Sequence, residues 1–162
     1  MTSENRSSPR SPRTARMRTR ILSVLSLILP LFASADSPPV LSAGAAANDI
    51  TPKEFPLNMP GGFAANMAES AHDPLHSRAI VLDDGSMRIA IAIVDTLGAG
   101  PEVLEEIKTF AAERTGIPKH RMLISSTHTH TGPSHPKEGA APAVAYRKVF
   151  IQGVADSIIR AH

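Results

Sequence analysis

The sequence predicts an α/β fold: a partial sandwich with a mixed sheet, a β-hairpin leading into a right-handed βαβ crossover, and a C-terminal helix. Three observations carry this expectation. Two short aliphatic runs flank an Asp-Gly turn, a helical apolar stripe follows them, and a third aliphatic run precedes a last long helical pattern. With 162 residues, 42% of them hydrophobic, the chain fits one modest domain or part of a larger one.

From the N-terminus, the first 35 residues read as an address. Six arginines stand there against one acid, Glu4, and are followed by the apolar run 21–33. That run has the length of a signal-peptide core and is too short for a bilayer span, which needs about 20 apolar residues. Ala33-Ser34-Ala35 supplies the small-x-small pattern of a cleavage site, so cleavage is expected after Ala35, giving a secreted or periplasmic protein. Met17 offers a shorter start. Residues 36–42, with Pro38-Pro39, form a linker, and 43–162 form the domain.

Residues 43–50 read as a short strand that turns at Thr51-Pro52, because a residue before proline is pushed towards extended geometry. Residues 53–75 hold Pro56, Pro60, Gly61, Gly62 and Pro74 and are expected to be mostly loop. Arg78–Leu82 and Met87–Val94 pair as a hairpin around Asp83-Asp84-Gly85-Ser86. The run Ile89–Val94 is apolar at every position, which predicts a strand buried on both faces.

A helix is expected from Pro101 to Arg114, with Val103, Leu104, Ile107, Phe110 and Ala111 inward and Gly116 as its stop. Its glutamates, Glu102, Glu105 and Glu106, read as a solvated helix start. Arg121–Ser126 is the third strand, and strand–helix–strand order implies the right-handed crossover. The last helix runs from Pro142 to Ala161, with Val144, Tyr146, Val149, Phe150, Val154 and Ile158 as its apolar positions. So few strands and aromatics make a thin core, which predicts that the chain is one part of a larger domain.

The basic balance (net charge +2) comes from the N-terminal arginines, and the remainder is mildly acidic, which argues against a nucleic-acid partner. Cysteine is absent, so disulfides and thiolate metal sites are excluded.

Chemistry concentrates directly after the third strand, in Ser125-Ser126-Thr127-His128-Thr129-His130-Thr131-Gly132-Pro133-Ser134-His135. Ligands of α/β sheets bind beyond the carboxyl ends of parallel strands, and this segment sits at such an end. Two residues apart on an extended backbone, the His128 and His130 imidazoles would point to one side. They could bind zinc together, or one could bind metal while the other holds substrate. Asp95, at the end of the neighbouring strand, would lie on the same rim and orient an imidazole or contact substrate. His72, His76 and His135 are set aside as ligands.

Thr127-His128-Thr129-His130-Thr131-Gly132-Pro133 closely resembles the Thr-His-Thr-His-Ser-Gly-Pro signature of the neutral/alkaline non-lysosomal ceramidase family. Ala43-Gly44 through Asp49-Ile50-Thr51-Pro52, Pro60-Gly61-Gly62-Phe63, His76-Ser77-Arg78-Ala79 and Val94-Asp95 resemble further segments of that family, in its order. The resemblance implies an N-terminal part of a catalytic domain that binds one Zn2+ and cleaves the amide of N-acylsphingosine or a related lipid amide, with a membrane-surface substrate in reach. It assigns His128 as the metal ligand and His130 as the catalytic and substrate-holding residue, while Asp95 matches the family's strand-end Asp and keeps the substrate contact its position suggests. The family's other zinc ligands, a His, a Glu and a Tyr, lie downstream of this segment. The expectation is therefore a truncated chain, inactive alone, completed by a missing C-terminal part or a partner chain. Thr131 stands where the family has Ser, Ser126 where it has Gly, and Ser134-His135 where it has a Gly-rich continuation. The metallo-β-lactamase pattern, which also opens Thr-His-x-His, requires Asp and His where Gly132 and Pro133 stand. A secreted, non-catalytic remnant or binding module that keeps this lobe of the fold is the alternative.

Overall fold

The computed structural model describes residues 40–162. The expected signal peptide, its cleavage site and most of the linker lie outside the described residues. The elements run β1 (Ser42–Asp49), β2 (Leu57–Asn58), β3 (Met67–Ala68), β4 (His76–Asp83), β5 (Arg88–Val94), α1 (Pro101–Thr115), β6 (Met122–Ser126) and α2 (Ala141–Ala161). A single 3-10 turn, Lys119–Arg121, leads into β6.

The mixed α/β expectation holds. A four-stranded sheet has the order β1-β4-β5-β6: β1, β4 and β5 pair antiparallel, and β6 joins β5 in parallel across the α1 crossover. The β4–β5 turn is held by Asp84, whose Oδ1 accepts from the amides of Ser86 (2.9 Å) and Met87 (2.7 Å). Such a side chain replaces the missing backbone partners of a tight turn. Gly116 closes α1 in the left-handed conformation (φ 71°), which costs a glycine nothing, and its N–H caps the Ala112 carbonyl.

Both helices cover one face of the sheet. Ala79, Val81, Ala90, Ala92 and Val94 point into the core, against Val103, Ile107 and Ala111 of α1 and Phe150, Val154 and Ile158 of α2. The small alanines let the helices lie close. Phe150, Ile107 and Ile158 are fully buried, and each burial contributes about 1.5–3 kcal/mol. Inside this layer the Ser77 and Ser157 hydroxyls bond each other at 2.8 Å, and Ser157 also donates to the Val154 carbonyl, so both buried hydroxyls are satisfied.

Two expectations are corrected. The strand β5 is buried on one face, not two: Ile93 is 49% exposed, and Ile80 and Leu123 on the neighbouring strands also face outward. Size alternates along Ile89–Val94, with Ala beneath the helices and Ile on the open side. Phe110 and Val149 are exposed, because α1 buries the row Val103, Ile107, Ala111 and Thr115 while α2 turns Phe150 inward. The segment 53–75 is mostly loop, as expected, and carries one small hairpin, β2 with β3, closed by the Met59 amide on the Asn66 carbonyl. The helix-start glutamates are solvated, as expected, and are also ion-paired, with Glu106 meeting the buried Arg147 at 2.5 Å and Glu105 meeting Lys119.

Candidate functional site

Parallel pairing of β5 and β6 brings Val94 opposite Ser126, so the segments leaving these strands share one rim of the sheet. The Thr127 amide donates to the Val94 carbonyl, and the chain then leaves the ladder. His128 adopts φ 60°, a left-handed conformation rare for a residue with a Cβ. The backbone is therefore not extended through the doublet, as alternation would require. The two rings nevertheless meet, with centroids 5.2 Å apart in an edge-on arrangement, because the left-handed residue folds the chain back instead of alternating it. Both side chains are accessible from solvent.

The loop after β5 holds the first ring. His128 Nδ1 lies 2.8 Å from the Leu97 carbonyl, which only accepts, so Nδ1 is the donor of this bond and, in the neutral ring, Nε2 is the nitrogen left with a lone pair. This is the orientation in which a histidine ligates a metal, with the second nitrogen tied to a backbone carbonyl. By this test His128 fits a zinc ligand. Among the described residues, no three His, Cys, Asp or Glu side chains gather around one point.

The second ring is held by the β2–β3 hairpin. A Cβ on Gly61 would overlap the Cα, Cβ and Cγ of His130. Only glycine lets the loop approach this closely, a proximity that no local signal in the sequence carries. Thr129 and Thr131 bond through their hydroxyls at 2.9 Å, bracing the turn that carries His130. Phe63, at the tip of the hairpin, is fully exposed.

Asp95 sits on the same rim, and its Oδ2 is taken by β4. The His76 amide and the Arg78 guanidinium each donate to it at 2.9 Å. Burial pushes this carboxyl up, but the amide and the guanidinium outweigh burial and hold it below the ordinary carboxylate range. Oδ1 takes no part in these bonds. The Asp95 backbone carbonyl packs close to Gly132, so the strand end also supports the histidine turn.

The histidines set aside from the sequence lie in other settings. His72 is exposed beside Asp73. His135 stacks on Phe150 with centroids 4.2 Å apart, and burial pushes its imidazole towards the neutral form. His76 is half-buried, and its Nδ1 has no hydrogen-bond partner among the described residues. Neither does the hydroxyl of buried Tyr146, whose phenol is pushed up by burial first and by the Asp95 charge second.

Fold and rim together define a mixed α/β domain with a histidine pair at the carboxyl end of its parallel strands. Solved structures with this fold include the neutral ceramidase of Pseudomonas aeruginosa, with a TM-score of 0.62 and 21% identity over 78% of this chain. A ceramidase complexed with C2 gives a TM-score of 0.59 and 20% identity over 77%. This chain spans about a fifth of the length of either, 22% and 21% respectively. No protein-family model and no curated protein matches the chain.

Proposed function

We propose that this chain carries one part of the catalytic centre of a zinc-dependent amide hydrolase of the neutral ceramidase type. Its substrate would be a lipid amide, N-acylsphingosine or a relative, split into an amine and a fatty acid. The observation that carries this reading is the His128 ring, held by Leu97 with Nε2 free, 5.2 Å from His130. The fold shared with two solved ceramidases supports it.

In this reading His128 is one metal ligand, and the rest of the set comes from residues beyond this segment or from a partner chain. Bound zinc would polarise the scissile carbonyl and acidify a water. The Leu97 carbonyl fixes the His128 tautomer, so the ring binds without first moving a proton. His130, fixed by Gly61, presents its ring to the amide and donates a hydrogen bond to the oxygen that gains charge. Asp95 keeps Oδ1 for a polar group of the substrate, such as a hydroxyl, while Oδ2 stays on β4. The substrate is a membrane lipid by class, so the site would work at a lipid surface. A signal peptide and export accord with that setting.

Zinc titration and amide turnover test the proposal. Stoichiometric zinc that is lost in His128→Ala and kept in His130→Ala supports it, with His130→Ala losing most turnover in the completed protein. A non-catalytic binding module would show weak zinc and no turnover even with the remaining ligands supplied. Equal zinc content in wild type and both variants removes His128 as a ligand.

A further inference from the structure

The loop that carries the Leu97 carbonyl is held by more than one histidine. Gly98 and Gly100 flank Ala99 in it, and a side chain at either glycine would meet nothing within 4 Å. Neither glycine is wedged by its surroundings, so polar bonds must place the carbonyls. Thr96, buried two residues beyond β5, has its hydroxyl 3.4 Å from the Gly98 carbonyl, a long bond. Two imidazoles supply the rest. His128 bonds the Leu97 carbonyl, and His135 faces the backbone of Gly98, the next residue. Only the φ and ψ of Gly98 lie between the two carbonyls, because the peptide units themselves are planar.

The His135 ring is itself seated. It stacks on the fully buried Phe150, with 4.2 Å between centroids and 23° between planes. The His135 carbonyl accepts from the Arg147 guanidinium at 3.3 Å, and Arg147 is anchored on Glu106 at 2.5 Å. Ser134, one residue earlier, donates its amide to the Asn58 carbonyl of β2. Side chain and main chain are thus both tied to the core. Burial above all, with help from the Arg147 charge, keeps the imidazole neutral, while its own backbone and that of Gly98 favour the proton, as carbonyl acceptors do. A neutral imidazole has one N–H to donate, and a backbone carbonyl accepts it.

We propose that His135 is a positioning residue for His128. Seated on Phe150, it holds Gly98 and so steadies the neighbouring Leu97 carbonyl, which decides the ring nitrogen of His128 that carries hydrogen. The proposal rests on the reading of His128 as a metal ligand, and it adds what keeps that ligand's second nitrogen free. His135 touches neither metal nor substrate in this arrangement; it acts through one loop. It stands where the resembled signature continues with glycine, a residue with no side chain to reach Gly98.

Three variants of the full chain separate this role from stability, read without metal at mildly alkaline pH and then with zinc. His135→Phe keeps the stack on Phe150 and loses the polar contact. His135→Asn and His135→Gln lose the stack, but their amide N–H groups reach where the two ring nitrogens stood, so one of them replaces the contact. Urea midpoints should fall less in His135→Phe than in either amide variant. The His128 ring should follow the opposite order. Long-range proton–nitrogen NMR should show hydrogen on Nδ1 in wild type and in one amide variant, and a shift towards Nε2 in His135→Phe. Zinc affinity should drop roughly tenfold in His135→Phe and less in that amide variant. A His128 ring that is unchanged in His135→Phe, or that changes no less in both amide variants, overturns the proposal. Failure of the hydrolase reading looks different: the ring responds as described, yet the wild type binds no zinc at His128. Zinc bound at His128, with a ring indifferent to every change at His135, leaves that reading standing and removes the positioning role.

Discussion

Replacing His128 by glycine and by alanine separates backbone strain from side-chain chemistry. At φ 60° a residue with a Cβ costs about 1–2 kcal/mol relative to its ordinary conformations. Glycine avoids that cost but loses about 0.5–1 kcal/mol more backbone entropy on folding. Both variants lose the ring and its bond to the Leu97 carbonyl equally. The His128→Gly protein should therefore be more stable than the His128→Ala protein by about 0.5–1 kcal/mol. Urea unfolding at unchanged m-value reads this as a shift in midpoint. Wild type recovers part of the strain through the exposed bond to Leu97, a net contribution of about 0.5–1.5 kcal/mol. A His128→Ala protein as stable as His128→Gly, or more so, would refute the left-handed geometry, and with it the explanation of how the two rings meet.

Three further outcomes follow from burial and charge. Asp95→Asn should cost about 1–2 kcal/mol at neutral pH, because it removes a charge-assisted bond to Arg78. Since the folded carboxyl is held low, that contribution is complete above the unfolded value near 4 and is lost as pH falls through the folded one. Denaturation of both proteins across pH 2–7, roughly the carboxylate range, should show the curves converge on the acid side; a gap that widens there contradicts the account. Tyr146→Phe should be neutral or stabilising by up to ~1 kcal/mol in thermal unfolding, since the buried hydroxyl has no partner among the described residues; a large loss would reveal a bond to it. Ile93→Thr and Leu123→Thr should each cost under about 0.5 kcal/mol, while Val94→Ala, on the covered face, should cost about 1–3 kcal/mol. Equal losses on both faces would mean that the open side is covered.

The crossover unit was legible because its signals are local. Alternating aliphatics, a Pro at the start and a Gly at the stop of α1, and a helical row in α2 each require only a few neighbouring residues. What was misread depends on partners distant in sequence. An all-apolar β5 cannot say which face the helices take, and here the alanines mark the covered face because α2 packs close. The β2–β3 pair spans two residues a strand, too short for any period. At the site, the residue types His128 and His130 were readable, but their meeting geometry was not. It comes from one left-handed residue, a carbonyl 31 positions away and a glycine against the second side chain. Asp95 was placed on the correct rim, whereas its engagement with β4 required the strand pairing.

The protonation of a single ring reaches the core of the account. Long-range proton–nitrogen NMR of His128 at mildly alkaline pH should show hydrogen on Nδ1 and a bare Nε2, with the Nε2 resonance moving when zinc is added. Hydrogen on Nε2, or an Nε2 resonance indifferent to zinc, would contradict it.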